Sequence, residues 1–323
     1  MMFLGWFNVK YQVRVVIYIN EKAEIQMEQL IVQKAQLSDF EAIAKTIASQ
    51  NQTPETHCIH SDTGQDTQNI LGEMIRLDAE GEICFVTASV DGQVTAAMGC
   101  EFDLELGRGW LRGPFVAAGL DDWSATAARL FDGLLKVLPE SIRQLDTYLN
   151  IKNIRGNTFY LSRDFERIRL VQVYECLPPQ TNCHPGDGCE PLTREAPQGF
   201  IELHDMIFPG TYATGQRILD KIDERHQVFV YRNNGAIIGY CCANIDEDTG
   251  EGALDFLGVR EDARGKGIGR LLVQTALHWF FEVKKLPKVI LVVHDDLSNA
   301  RSLYESVGFK LKYTGVHNRK IRD

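Results

Sequence analysis

Arg264-Gly265-Lys266-Gly267-Ile268-Gly269-Arg270 joins two segments of different periodicity. Ahead of it, Ala253-Leu254-Asp255-Phe256-Leu257-Gly258-Val259 is short, mostly apolar and of strand length. Behind it, Ile268, Leu271, Leu272, Thr275, Ala276, Trp279 and Phe280 recur at the spacing of one helix face. Three glycines and three cations (Arg264, Lys266 and Arg270) thus gather where a buried strand turns into an amphipathic helix. Backbone N–H groups at that point lack intrahelical partners, the helix dipole is positive, and glycine admits close approach to the main chain. The expected ligand is an anion, most naturally a phosphate.

The spacing excludes the two commonest phosphate loops. A P-loop needs Gly-x-x-x-x-Gly-Lys-Ser/Thr, and a dinucleotide fingerprint needs Gly-x-Gly-x-x-Gly, whereas these glycines fall at 265, 267 and 269. The pattern is Arg-x-x-Gly-x-Gly. It resembles the acetyl-CoA pyrophosphate loop of the GNAT superfamily of N-acetyltransferases. A second block supports the resemblance. Val289-Ile290-Leu291-Val292-Val293 reads as a buried strand, followed by Asn299-Ala300-Arg301-Ser302-Leu303-Tyr304 and then Gly308-Phe309. The family places a strand, an Asn, Ala-x-x-Leu-Tyr on a helix and Gly-Phe in that order, and two ordered blocks are more specific than one.

The 323 residues suggest two domains. The apolar fraction of 44% and charged fraction of 24% are those of an ordinary globular protein. A net charge of -10 argues against nucleic-acid or anionic-membrane partners and leaves room for a cationic amine. Residues 1–26 read as an extension that the motifs do not need; its apolar stretch at 13–19 is too short to span a bilayer and lacks the features of a signal peptide. From Met27 the order is strand, helices, three strands, helix, strand, helix, strand, which is the GNAT order.

Sliding the chain by 141 residues brings Val116 onto Leu257 and Arg129 onto Arg270, but sets Trp123, Thr126 and Ala128 where Arg264, Gly267 and Gly269 stand. Phe159-Tyr160 echoes Leu303-Tyr304. The chain is therefore read as α/β (α+β), two tandem GNAT folds, each a mixed, mainly antiparallel sheet flanked by helices. Residues 27–176 form a degenerate copy, 177–199 a linker, and 200–323 the acetyl-CoA-binding copy. An unrelated α/β domain is the alternative for the first part. The linker holds Cys183-His184-Pro185-Gly186-Asp187-Gly188-Cys189, which lacks a fourth zinc ligand and reads as a flexible loop with free thiols, so no metal is expected. The other cysteines fall mostly in apolar strands, as reduced thiols do, which suggests the cytoplasm.

The resemblance implies direct transfer of an acetyl group from acetyl-CoA, a co-substrate, to a primary amine in a ternary complex. It implies that Leu257, Gly258 and Val259 present backbone groups to the pantetheine arm and that Arg264, Gly265, Lys266, Gly267, Ile268, Gly269 and Arg270 hold the pyrophosphate. Asn299 would bond the cofactor arm, and Tyr304 would be the general acid, a phenol being protonated at neutral pH; a core aromatic is its alternative. For the general base, strand alternation puts Asp255 on one face with Leu257 and Val259, with Glu251 at the strand's entry, and either could instead be a structural carboxylate. Tyr212, beside the Pro209-Gly210 break, is a candidate wall for a small-molecule or peptide acceptor. The protein would be a monomer or homodimer. A non-catalytic acetyl-CoA-binding regulatory module is the competing reading of the whole.

Overall fold

The computed structural model describes residues 30–61, 66–117, 122–180, 183–193, 197–295 and 298–322. The extension at 1–26, with its strand-like stretch at 13–19, lies outside the described residues. The chain forms two compact units, one comprising residues up to 167 together with those from 318 onward, the other residues 168–317.

The first unit runs β1 (Ile31–Lys34), α1 (Phe40–Gln50), α2 (Thr67–Glu80), β2 (Ile83–Val90), β3 (Gln93–Asp103), β4 (Arg108–Val116), α3 (Trp123–Val137), β5 (Gln144–Asn150) and α4 (Ile154–Leu161). Strands β1 to β4 pair antiparallel in sequence order, and β5 joins β4 in parallel. The apolar stripes of α1, α2 and α3 close on this sheet around Ile43, Ile47, Met74, Leu130, Phe131 and Leu134, all buried. The three strands and the helices expected here from periodicity are present in the expected order.

The second unit begins inside β6 (Glu166–Cys176), continues through β7 (Cys189–Pro191), α5 (Gln198–Ile207), α6 (Gly215–Asp220), β8 (His226–Asn233), β9 (Ala236–Ile245), β10 (Gly252–Val259), α7 (Ile268–His278), β11 (Val289–His294) and α8 (Ser298–Ser306), and leaves by β12 (Lys310–Ile321). Its strand order is β6, β11, β10, β9, β8, β7, with β10 and β11 parallel and the other pairs antiparallel. Helix α7 lies on one sheet face through Leu272, Val273 and Ala276, and α5 on the other through Phe200 and Leu203. The sheets are mixed and mainly antiparallel, flanked by helices, as the sequence indicates.

The chain's division differs from a simple tandem. Residues 168–176 follow the last helix of the first unit but belong to the second, where β6 pairs with β11 from Cys176↔Val289 to Val171↔His294. Residues 318 onward return to the first, where Asn318 Nδ2 donates to Thr147 Oγ1 (3.2 Å) and Arg319 Nε to Asp146 Oδ1 (2.7 Å). The segment read as a flexible loop is also docked. Gly186 N donates to Thr275 Oγ1 on α7 (2.9 Å), and a Cβ on Gly186 would lie 2.3 Å from the Leu271 carbonyl oxygen. Among the described residues no cluster of candidate metal ligands occurs, and no helix is long and apolar enough to cross a membrane.

One buried ion network crosses the first unit. Arg112, 1% exposed, donates to both Glu73 oxygens (2.7 and 2.8 Å) and to Glu101 (2.6 Å), which also meets His60 (3.0 Å). Burial raises the pKa of Glu101, but the His60 imidazole and the Arg112 guanidinium outweigh it and hold the carboxyl far below its ordinary 4.5. A depressed folded pKa gives stability that is present above about 4.5 and lost as pH falls through the folded value. Glu101→Gln should therefore flatten the acid limb of stability against pH, and Arg112→Ala, which strands two carboxylates, should cost about 3–5 kcal/mol in urea unfolding. An acid limb unchanged in Glu101→Gln would show that the network does not set acid stability.

Candidate active site

Strand β10 is apolar enough to pair on both sides, yet it does not. It runs beside β9 along its whole length, but its ladder to β11 is two residue pairs long, Gly252↔Val289 and Ala253↔Ile290. Beyond Ala253 the strands part, while β11 keeps pairing with β6 up to His294. Backbone groups of Leu254 to Val259 thus face an opening, and a ligand with amide groups can bond them.

Asp255 stands at a bulge. The register to β9 shifts between Leu254, opposite Ala243, and Phe256, opposite Cys242, leaving Asp255 as the extra residue. Leu254, Leu257 and Val259 pack on the α7 side, whereas Phe256 packs among Phe200, Leu203 and Tyr240 on the α5 side. The expectation that Asp255 shares a face with Leu257 and Val259 is therefore corrected: the bulge resets the alternation and turns Asp255 to the α5 side with Phe256. There it accepts hydrogen bonds from Asn244 Nδ2 on β9 and from the Tyr212 phenol. Solvent reaches Asp255 along the cleft, but crowding by protein outweighs those bonds and the positive fields of His226 and Lys221, and lifts its pKa from 3.8 to about 6.

Tyr212 is fixed from behind. Its ring lies 5.3 Å from that of Phe256. The buried His204 bonds the carbonyl of Ala213 through Nε2 (2.9 Å), so its Nδ1 accepts from the Tyr240 hydroxyl (2.7 Å). Burial pushes the His204 pKa down, in keeping with a neutral ring. Asn244 and His204 escaped the sequence reading because neither lies in a motif; only the hairpin register places Asn244 beside Asp255.

The glycine loop has the geometry of an open anion site. Gly265 (φ +74°) and Gly267 (φ +81°) take the left-handed conformation with open space where a Cβ would be. Gly267 is the N-cap of α7 and no side chain caps it, which leaves the N–H groups that open the helix to a ligand or to water. Arg264 Nε donates to the carbonyl of Val259 (3.1 Å) and Lys266 Nζ to that of Asp262 (3.1 Å), and Arg264, Lys266 and Arg270 are exposed. Ile268 is buried in the core, which leaves only its main chain for a ligand. Gly269 serves packing: a Cβ there would lie 3.0 Å from Leu303 on α8, so it does not belong with the two glycines whose conformation shapes the loop.

Tyr304 is buried on α8, edge-on to Phe309 at 5.9 Å, and burial followed by the field of Cys241 raises its pKa. Cys241, the ladder partner of Leu257, shares the α7-side core with Tyr304, so the phenol and the Asp255 carboxylate lie on opposite sides of β10. Asn299 is exposed in the first turn of α8. Glu251 does not join this group. It pairs with Lys288 (2.9 Å) at the closed end of the β10–β11 ladder, four residues and about 13 Å along the strand from Asp255.

The first unit treats the same places differently. Beyond Leu111↔Thr147, β4 and β5 also part. Here, however, Gly113 N donates to Cys58 Sγ (3.5 Å), Gly113 O accepts from the buried Tyr160 hydroxyl (2.7 Å), and Val116 O accepts from Gln50 (2.6 Å). Trp123 to Thr126, which align with the glycine loop, form the first turn of α3, capped by Asp122 Oδ1 on Ala125 N (2.9 Å).

Residues 198–309 match the Acetyltransferase (GNAT) family. This region belongs to the GNAT acetyltransferase family. Mycothiol acetyltransferase of Streptomyces avermitilis is 33% identical over 91 residues, covering 28% of this chain and 29% of that protein. Mycothiol acetyltransferase of Thermobifida fusca is 35% identical over 132 residues, covering 35% and 40%. The matched segments thus span less than half of either relative. The fold extends further than the GNAT family match. A GCN5-related N-acetyltransferase from Sphaerobacter thermophilus superposes with TM-score 0.68 at 19% identity, covering 91% of this chain and 96% of that one. A tandem GNAT protein from the clavulanic acid biosynthesis pathway does so with TM-score 0.60 at 13% identity, covering 90% and 98%.

The raised pKa of Asp255 carries a stability consequence. The folded state holds the proton more tightly than the unfolded chain, so stability is lost as pH rises from about 3.8 to about 6. Asp255→Asn should raise the melting temperature at pH 8 relative to wild type and lose that advantage at pH 3. Equal shifts at both pH values would mean that the carboxylate is not held in a site that resists its charge.

Proposed function

We propose that this chain is an acetyl-CoA-dependent N-acetyltransferase whose second unit transfers acetyl to a primary amine by direct attack in a ternary complex. The observation that carries this reading is the opened edge of β10, with an uncapped, cation-flanked helix N-terminus at one end and Asp255 and Tyr304 approaching it from opposite faces. The residues present fit the co-substrate. Main-chain N–H groups at Gly267 to Gly269, with Arg264, Lys266 and Arg270, suit a pyrophosphate; main-chain groups of Leu257 to Val259 suit the amides of the pantetheine arm, with Asn299 beside it.

In the reaction, Asp255 takes a proton from the acceptor's ammonium, and the neutral nitrogen attacks the thioester carbonyl carbon. The tetrahedral intermediate collapses with cleavage of the C–S bond, the leaving sulfur receives the Tyr304 hydroxyl proton, and the second proton lost by the former amine nitrogen passes through solvent to the phenolate and restores the phenol. A carboxylate with a pKa of about 6 is a stronger base than an ordinary Asp, and a phenol whose pKa is raised stays protonated until the sulfur needs it. Glu251, tied to Lys288, is given no part. The first unit is read as a GNAT fold that does not bind acetyl-CoA, because its own side chains occupy the parted β4 edge and its α3 N-terminus. All eight cysteines are free and six are buried, which supports a reducing, cytoplasmic setting.

Release of the coenzyme A thiol, followed with acetyl-CoA and a panel of primary amines, tests this reading. Tyr304→Phe should lower kcat about 100-fold or more while leaving the KM for acetyl-CoA unchanged. Equal losses in kcat and in acetyl-CoA affinity would remove Tyr304 from the general-acid role. Tight acetyl-CoA binding without turnover of any amine would favour the regulatory module instead.

A further inference from the structure

A string of polar side chains leads away from Asp255 on the α5 side of the sheet, and nothing in the acetyl-transfer chemistry described above uses its outer end. Val228 on β8 pairs with Cys242 on β9, and both lie in the core shared with Phe256 and Tyr240. Two residues along, in unbroken register, His226 pairs with Asn244, so both side chains rise on that same face. Asn244 bonds Asp255. On the far side, His226 Nδ1 lies 2.8 Å from Asp223 Oδ1, which also accepts from the main-chain N–H groups of Arg225 (2.7 Å) and His226 (2.8 Å). A carboxylate so fixed takes the Nδ1 proton and leaves His226 Nε2 with the lone pair. The outer pair is open to water, the side chain of His226 being 30% and that of Asp223 55% exposed.

We infer that the Asp223–His226 pair is the proton exit of the acetyl-transfer site. The inference rests on the reading of Asp255 as general base. Each turnover deposits one proton on Asp255, and the next ammonium can be deprotonated only after that proton has left. His226 Nε2 takes it up, directly or through solvent in the cleft, and becomes an imidazolium paired with Asp223. It then releases the proton to bulk water, and both residues return to their starting states. Protons are conserved, and no electrons are exchanged. The charged or titratable groups around Asp255 are Tyr212 from the α5–α6 connection, Lys221 at the end of α6, His226 on β8, and Cys241 and Cys242 on β9. Of these, burial raises Tyr212, Cys241 and Cys242. His226, whose ring holds a lone pair beside an N–H, is the group there that can accept a proton at one nitrogen and pass it on to water. It acts through Asp255 and is a positioning residue, not a catalytic one.

Two measurements test this. Nitrogen-15 NMR of the full chain, with His226→Gln to assign the signal, should show the Nδ1–H tautomer at His226. Its titration midpoint should fall by about 0.5 pH unit or more in Asp255→Asn, because removing an anion destabilises the imidazolium. An unmoved midpoint overturns the inference whether or not the protein acetylates amines. With an amine from the thiol-release panel, His226→Gln should lower kcat about 10-fold or more, leave the KM for acetyl-CoA unchanged, and recover activity as imidazole is added. Coupled titration with unchanged kcat, or a loss that imidazole does not restore, removes the exit role while leaving Asp255 as base. A wild-type protein that binds acetyl-CoA but acetylates nothing in the panel contradicts the acetyl-transfer reading, and the exit role falls with it.

Discussion

Backbone polar groups removed from a sheet must find other partners, and the parting of β10 from β11 after Ala253 creates that demand at the centre of the second unit. The positions of the other candidate groups follow from it. The bulge that accompanies the parting turns Asp255 toward α5 and leaves Leu257 and Val259 toward α7. The turn at the open end delivers the chain into α7 with its N-terminus uncapped. Tyr304 lies on the opposite face, in the core that holds Cys241 and Leu257. A phenol, a carboxylate and an uncapped helix N-terminus are thereby arranged around a strand that lacks its partner on the β11 side.

The first unit meets the same demand with its own residues. Tyr160, Cys58 and Gln50 bond the parted stretch of β4, and Asp122 caps the helix that follows. A buried hydroxyl bonded to a main-chain carbonyl is worth about 1 kcal/mol, and a helix cap about as much, so each filled position favours the closed state modestly. The buried Arg112 network adds a further set of internally paired charges to this unit.

The glycine loop, the two motif blocks and the strand and helix order were legible in the sequence because each is a local pattern with a local cause: positive φ at Gly265 and Gly267, apolar alternation in β10, and the apolar stripe of α7. The bulge at Asp255 was not. A one-residue insertion leaves no mark in Leu254-Asp255-Phe256-Leu257, and strict alternation assigned Asp255 to the wrong face. Gly269 fits the motif by position, but its lack of a Cβ serves contact with Leu303, a residue 34 positions away that spacing could not nominate. The placement of residues 168–176 in the second unit and of 318 onward in the first depends on which strand edges are free in the folded sheets, which periodicity does not encode. The docking of Cys183 to Cys189 on α7 was hidden for the opposite reason: its Pro and Gly content is that of a loop, and the contacts that hold it come from Thr275, His278 and Glu282 far along the chain.

The central claim is that one opened strand edge, with one uncapped helix N-terminus, makes a single acetyl-CoA site in the second unit. Calorimetric titration of acetyl-CoA into the wild type and Gly267→Asp tests it most directly, with thermal unfolding to verify that the variant folds. The predicted result is one site per chain in the wild type and none in the folded variant, since Asp at position 267 strains a left-handed backbone and places an anion where the pyrophosphate belongs. Two sites would contradict the account of the first unit, and no wild-type binding would contradict the claim itself.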